Sequence, residues 1–211
     1  MAAQSSAERR LELVSTVLLA LATVATAWAA YQSRQWTGQQ TRGTALATAN
    51  RIAVNRVSAV ANRQAEIDVA TFIQWVNAHE HHDSELADFY RARFRDEFKP
   101  AFNAWVATKP LQTAGAPPTP FALPEYRLAA EAEAARLDRN ADALSAQVHR
   151  NIQRASNYVL GVVLFAVALF FAGMSTKLKA PVLRKTMLVV GYVIFLAAAV
   201  WIATSPVSVA V

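Results

Sequence analysis

Residues 157–204 read NYVLGVVLFAVALFFAGMSTKLKAPVLRKTMLVVGYVIFLAAAVWIAT. Two apolar runs, Tyr158–Met174 and Met187–Thr204, flank a short turn, and neither contains Asp, Glu, Lys, Arg or His. About twenty apolar residues in a helix cross a ~30 Å hydrocarbon layer. In lipid only a segment that satisfies its own backbone hydrogen bonds is tolerated. The turn carries Lys177, Lys179, Arg184 and Lys185 and no acid. Basic connections stay on the cytoplasmic side, so the stretch predicts a membrane hairpin that enters and leaves from outside.

A third apolar run, Leu13–Tyr31, lies near the other end, behind Arg9 and Arg10. Its basic start and Ala27-Trp28-Ala29 imitate a signal peptide with its cleavage site. The run is long for such a segment, and it reads instead as a first membrane helix with its amino end inside. Both inferences then place residues 32–156 outside the cytoplasm. The expected organisation is all-α, with three transmembrane helices and a long helical extracytoplasmic stalk between the first and second. In chain order it comprises a cytoplasmic tail (1–12), membrane helix (13–31), extracytoplasmic domain (32–156), membrane helix (157–174), cytoplasmic turn (175–186), membrane helix (187–204) and outer tail (205–211). Trp28, Tyr31, Trp36, Tyr158 and Trp201 would fall near the outer interface, where amphipathic rings prefer to sit.

Within the domain, Gly38 and Gly43 precede a helix expected from Thr44 to about His79. Leu46, Ala53, Val60 and Ile67 recur every seven residues, a packing seam of coiled-coil type. The same region is basic. Between Glu12 and Glu66 there is no acid, while Arg34, Arg42, Arg51, Arg56 and Arg63 all fall there. Such a face is either solvated or turned toward an anionic lipid or acidic partner. The helix ends in His79-Glu80-His81-His82-Asp83. His79, His82 and Asp83 have a spacing compatible with a metal, but Asp83-Ser84 also reads as a helix start, which favours a polar turn.

Ser84–Thr108 returns to a helical pattern, with Leu86, Tyr90, Phe94, Phe98, Phe102 and Trp105 as an aromatic stripe and Pro100 as an interruption. The segment 109–124 holds Pro110, Pro117, Pro118, Pro120 and Pro124 and must be an extended loop. Pro124 is placed as the first residue of a last helix of about fifty residues that runs into the membrane. Its packing positions include Leu137, Leu144 and Val148. An outgoing helix 32–80 rises ~75 Å, and the returning helices total ~85 Å, so the two paths match in length.

Several stretches resemble a group of uncharacterised bacterial integral membrane proteins with one N-terminal and two C-terminal membrane helices. They are Trp28-Ala29-Ala30-Tyr31-Gln32 with Trp36, Arg91–Trp105 (RARFRDEFKPAFNAW), Pro124-Glu125-Tyr126-Arg127 and Leu169-Phe170-Phe171-Ala172-Gly173. The resemblance implies the same three-helix topology in the bacterial inner membrane and no catalytic or binding residue.

The chain has no cysteine, which excludes disulfides, thiol nucleophiles and Cys-based zinc sites. No glycine-rich phosphate loop, HExxH or nucleophile elbow occurs. No nucleic-acid-binding module is visible. Ionisable groups are absent from the three spans, which argues against an ion-coupled transporter. An enzyme and a cofactor are therefore not expected. Two functions remain: an oligomeric structural or interaction protein, and a channel formed by a cyclic homo-oligomer. The first span is rich in small residues, with pairs four apart at Thr16/Ala20, Ala22/Thr26 and Ala25/Ala29, a pattern that lets helices approach closely. Thr16, Ala20, Thr23 and Ala27 are its candidate pore or oligomer face, with Arg34 and Arg42 biasing a channel mouth toward anions. Partners expected are the bilayer and further copies of the chain.

Overall fold

The computed structural model describes residues 6–110, 112–178 and 180–208. Lys179 of the basic turn and the outermost residues of both tails lie outside them. Among the described residues five α-helices and one 3-10 turn follow in order: α1 (Ser6–Glu80), α2 (Ser84–Ala92), α3 (Lys99–Ala107), the 3-10 turn Pro120–Ala122, α4 (Ala129–Lys177) and α5 (Pro181–Ala203). The described residues contain no strand. The fold is all-α, and α1, α4 and α5 are each long and apolar enough to cross a membrane.

The chain divides into two compact units, one of residues 1–45 with 144–211 and one of residues 46–143. In the first, Ala29 and Trp36 of α1 pack with Ala155, Tyr158 and Phe165 of α4 and with Ala198 and Ile202 of α5. Leu18, Ala172 and Leu188 form a second cluster of the same three helices. Close approach needs glycine here. A Cβ on Gly161 would lie 2.6 Å from Ile202 Cδ1, and one on Gly191 would lie 3.3 Å from the Ala168 carbonyl. The segment after α5 is tied back by polar side chains. Ser208 N–H donates to Gln32 Oε1 at 2.9 Å, Gln39 Nε2 to Ser208 Oγ at 2.8 Å, and the Tyr158 hydroxyl to the Pro206 carbonyl at 3.2 Å. Of the five rings expected at an interface, Trp28, Tyr31 and Trp201 are about half exposed, whereas Trp36 and Tyr158 are core.

Two boundaries differ from the sequence expectation. Gly38 and Gly43 do not separate two helices, because α1 runs through both. Gly43 is instead a packing position, where a Cβ would come within 2.7 Å of Val148 Cγ2 on α4. Pro124 does not begin α4, which starts at Ala129. The residues between are held elsewhere: Phe121, Leu123 and Tyr126 pack on the aromatic core. The first orphan N–H of α4, Ala129, donates to Glu97 Oε1 at 3.2 Å, which supplies the capping acceptor a helix start requires.

In the second unit, the later part of the stripe folds inward. Phe94, Phe98, Phe102 and Trp105 are buried with Phe72 of α1, while Leu86 is exposed and Tyr90 only half buried. The break falls at Arg93–Phe98, ahead of Pro100. Pro100 lies in the first turn of α3, where its missing N–H costs nothing. The proline-rich loop straps onto this cluster. Trp105 Nε1 donates to the Pro117 carbonyl at 2.8 Å, and Phe121 stacks on Phe98 at 5.2 Å with 10° between the rings. Loop and stripe thus cover each other within one chain.

Candidate functional site

The second unit contains a half-open cleft of about 440 Å³, within the range of small-ligand sites. Trp75, Val76 and His79 from α1, Ala87 from α2, and Trp105 and Val106 from α3 supply its apolar surface. The His79 ring stacks on Trp75 at 5.0 Å and 13°. Glu80, Asp88, Arg91 and Lys109 add two negative and two positive charges, with Ser84 and Gln112 beside them. Among the described residues Glu80, Asp88 and Lys109 enter no ion pair. Arg91 lies 5.8 Å from the Phe102 ring centre and donates to Asn103 Oδ1 at 3.4 Å.

Two helix ends shape this cleft, and both use a residue with positive φ that is not glycine. At the end of α1, His82 has φ +58°, its N–H donating to the His79 carbonyl and the Asp83 N–H to the Ala78 carbonyl. At the end of α3, Lys109 has φ +51°, with its N–H on the Val106 carbonyl. Such left-handed closures satisfy the last carbonyls of a helix and are usually made by glycine. A β-carbon there is strained, and strain of this kind collects at functional sites.

These closures also account for the histidine cluster. His79 stacks on Trp75, and His82 makes the turn through its backbone. Asp83 caps α2 by accepting the Leu86 N–H at 3.0 Å. Among the described residues no three of His, Cys, Asp or Glu converge as metal ligands.

The same unit holds a polar network absent from the sequence expectation. Asp68 of α1 is fully buried. Its Oδ2 accepts from Arg95 Nη1 at 2.8 Å and from the Tyr126 hydroxyl at 3.1 Å. Arg95 also pairs with Glu97, the residue that caps α4. Burial raises the Asp68 pKa against the opposing pull of Arg95. Burial, then the Asp68 charge, pushes the Tyr126 phenol upward, so Tyr126 is a fixed neutral donor at ordinary pH. One signal for Asp68 was present. It falls by sevens on the line Ala47, Val54, Ala61, an acid in an otherwise apolar row.

The other singled-out positions fall on open faces. Leu46 and Ile67 are 58% and 53% exposed, Val60 is exposed and Ala53 half buried. The intrachain contact of α1 is made one residue later, by Ala47, Ala61 and Asp68. Leu137, Leu144 and Val148 are half buried on α4. Thr16, Ala20, Thr23, Ala27, Arg34 and Arg42 are all exposed, whereas Ala22 and Ala29 face the chain's own core. The hydroxyls of Thr16, Thr23 and Thr26 donate to the carbonyls of Glu12, Leu19 and Ala22, bonds that occupy each hydroxyl's only proton.

Compared with known protein families, curated proteins and solved structures, the chain matches none.

Proposed function

We propose that this chain is an integral membrane interaction protein, and that residues 32–156 present the cleft outside the cytoplasmic membrane of a bacterium as a recognition site. The observation that carries the reading is the cleft itself. It combines an aromatic floor with balanced and largely unpaired charges, the composition of a site for a neutral or zwitterionic amphipathic ligand. The Arg9-Arg10 pair and the basic turn between α4 and α5 support the orientation. A photo-crosslinking residue replacing Asp88, read in intact cells, tests it together with cysteines at Gly115 and Ala180. Discrete adducts from position 88 are expected, with an impermeant thiol reagent labelling position 115 and sparing 180. Labelling of 180 alone would overturn the orientation, and absence of any adduct would overturn the recognition role.

Self-association belongs to the same reading. Leu46, Ile52, Val60, Ile67 and Ile73 leave large apolar side chains exposed on α1, and such surface is normally covered by a partner. A second copy accounts for it without a further component, and repeated contacts of one kind close into rings. Particles in lipid discs should therefore have the mass of two or more chains. A strictly monomeric mass would remove this part of the proposal.

A further inference from the structure

The buried network of the second unit is unevenly satisfied. Asp68 Oδ2 receives two donors, while Asp68 Oδ1 is buried with none, and so is Gln64 Oε1, one helical turn earlier. Residues four apart on a helix lie on one face. A buried acceptor without a donor is costly, and here two such acceptors belong to one face of α1. Charge is uneven as well. Asp68 and Glu97 are both served by the single cation Arg95, so the group of three carries a net −1 when all are ionised. The remaining facing group, Tyr126, brings no charge, and Glu131, which acts on Tyr126, adds a further negative one.

We propose that Asp68 is a protonation site, taking its proton on Oδ1 and donating it to Gln64 Oε1, so that acidification tightens the junction of α1 with the α2–α3 connection and the start of α4. One proton answers both deficits. It gives each orphaned acceptor a partner, and it brings the group of three to zero charge while leaving Arg95 bound to Glu97 and to Asp68 Oδ2. Burial, the largest influence on the Asp68 carboxyl, acts in the same direction by disfavouring its charged form. A carboxyl whose folded pKa lies above its unfolded one binds its proton more tightly in the fold. Its contribution to stability therefore rises as pH falls through the folded pKa and levels off below the unfolded value.

The test uses the full chain in lipid discs, melted over a pH series from alkaline to acid. Asp68→Asn copies the protonated form, with an amide donor for Gln64 and an oxygen for Arg95 and Tyr126. It should melt at or above the wild type at the alkaline end, and the gap should close as the wild type takes up its proton. Infrared difference spectra should show a carboxylic-acid C=O band in the wild type that Asp68→Asn lacks. Gln64→Ala removes the acceptor for that proton and should shift the band's appearance to lower pH. The proposal is overturned if Asp68→Asn melts well below the wild type by the same margin throughout, or if no acid band depends on Asp68.

Discussion

Arg95→Ala is expected to destabilise the second unit by about 3–5 kcal/mol at neutral pH, the cost of stranding a buried carboxylate by removing its cation. Asp68 would keep only the Tyr126 hydroxyl, and Glu97, 32% exposed, would turn to water. That escape open to Glu97 places the effect toward the lower figure. The loss should shrink in acid, where Asp68 neutralises itself. Thermal melts of the variant in lipid discs at two pH values measure both. The double variant Asp68→Asn with Arg95→Ala should recover most of the stability, because coupling between contacting residues is what such a cycle isolates. A single variant that melts like the wild type would mean the ion pair contributes nothing.

Phe98→Ala should cost a similar ~3–5 kcal/mol for a different reason, a cavity in a packed core. Phe98 is fully buried. Its ring lies 4.9 Å from Phe94, 5.2 Å from Phe121, 6.0 Å from Tyr126, 6.1 Å from Phe102 and 6.2 Å from Phe72. Those partners belong to α1, the α2–α3 connection, α3 and the loop, so no single element can collapse into the space. Because Phe121 stacks on Phe98, the loop should also loosen, and chymotrypsin should cut after Phe121 faster than in the wild type. An unchanged melting temperature with unchanged cleavage would show that the loop is held by other contacts.

What the sequence determined by itself is whatever depends on neighbours along the chain. The three apolar runs, the basic turn between α4 and α5, the proline-rich loop and the inward lean of Phe94, Phe98, Phe102 and Trp105 are periodic or compositional, and each follows from a few consecutive turns. The start of α4 did not follow. Pro124 is a good first residue locally, but Tyr126 is drawn into the core and Glu97 supplies the cap five residues later. Gly38 and Gly43 look like breaks in isolation, yet α1 continues because packing outweighs the small helix penalty of a glycine. The cleft and the Asp68 network were decided by tertiary structure alone. Asp68 meets Arg95 across 27 residues and Tyr126 across 58, and no local spacing encodes which distant side chains will share a low-dielectric site. An acid in an apolar row marks where such a partner is needed. Only the folded chain, bringing the α2–α3 connection and the residues before α4 against one face of α1, supplies it.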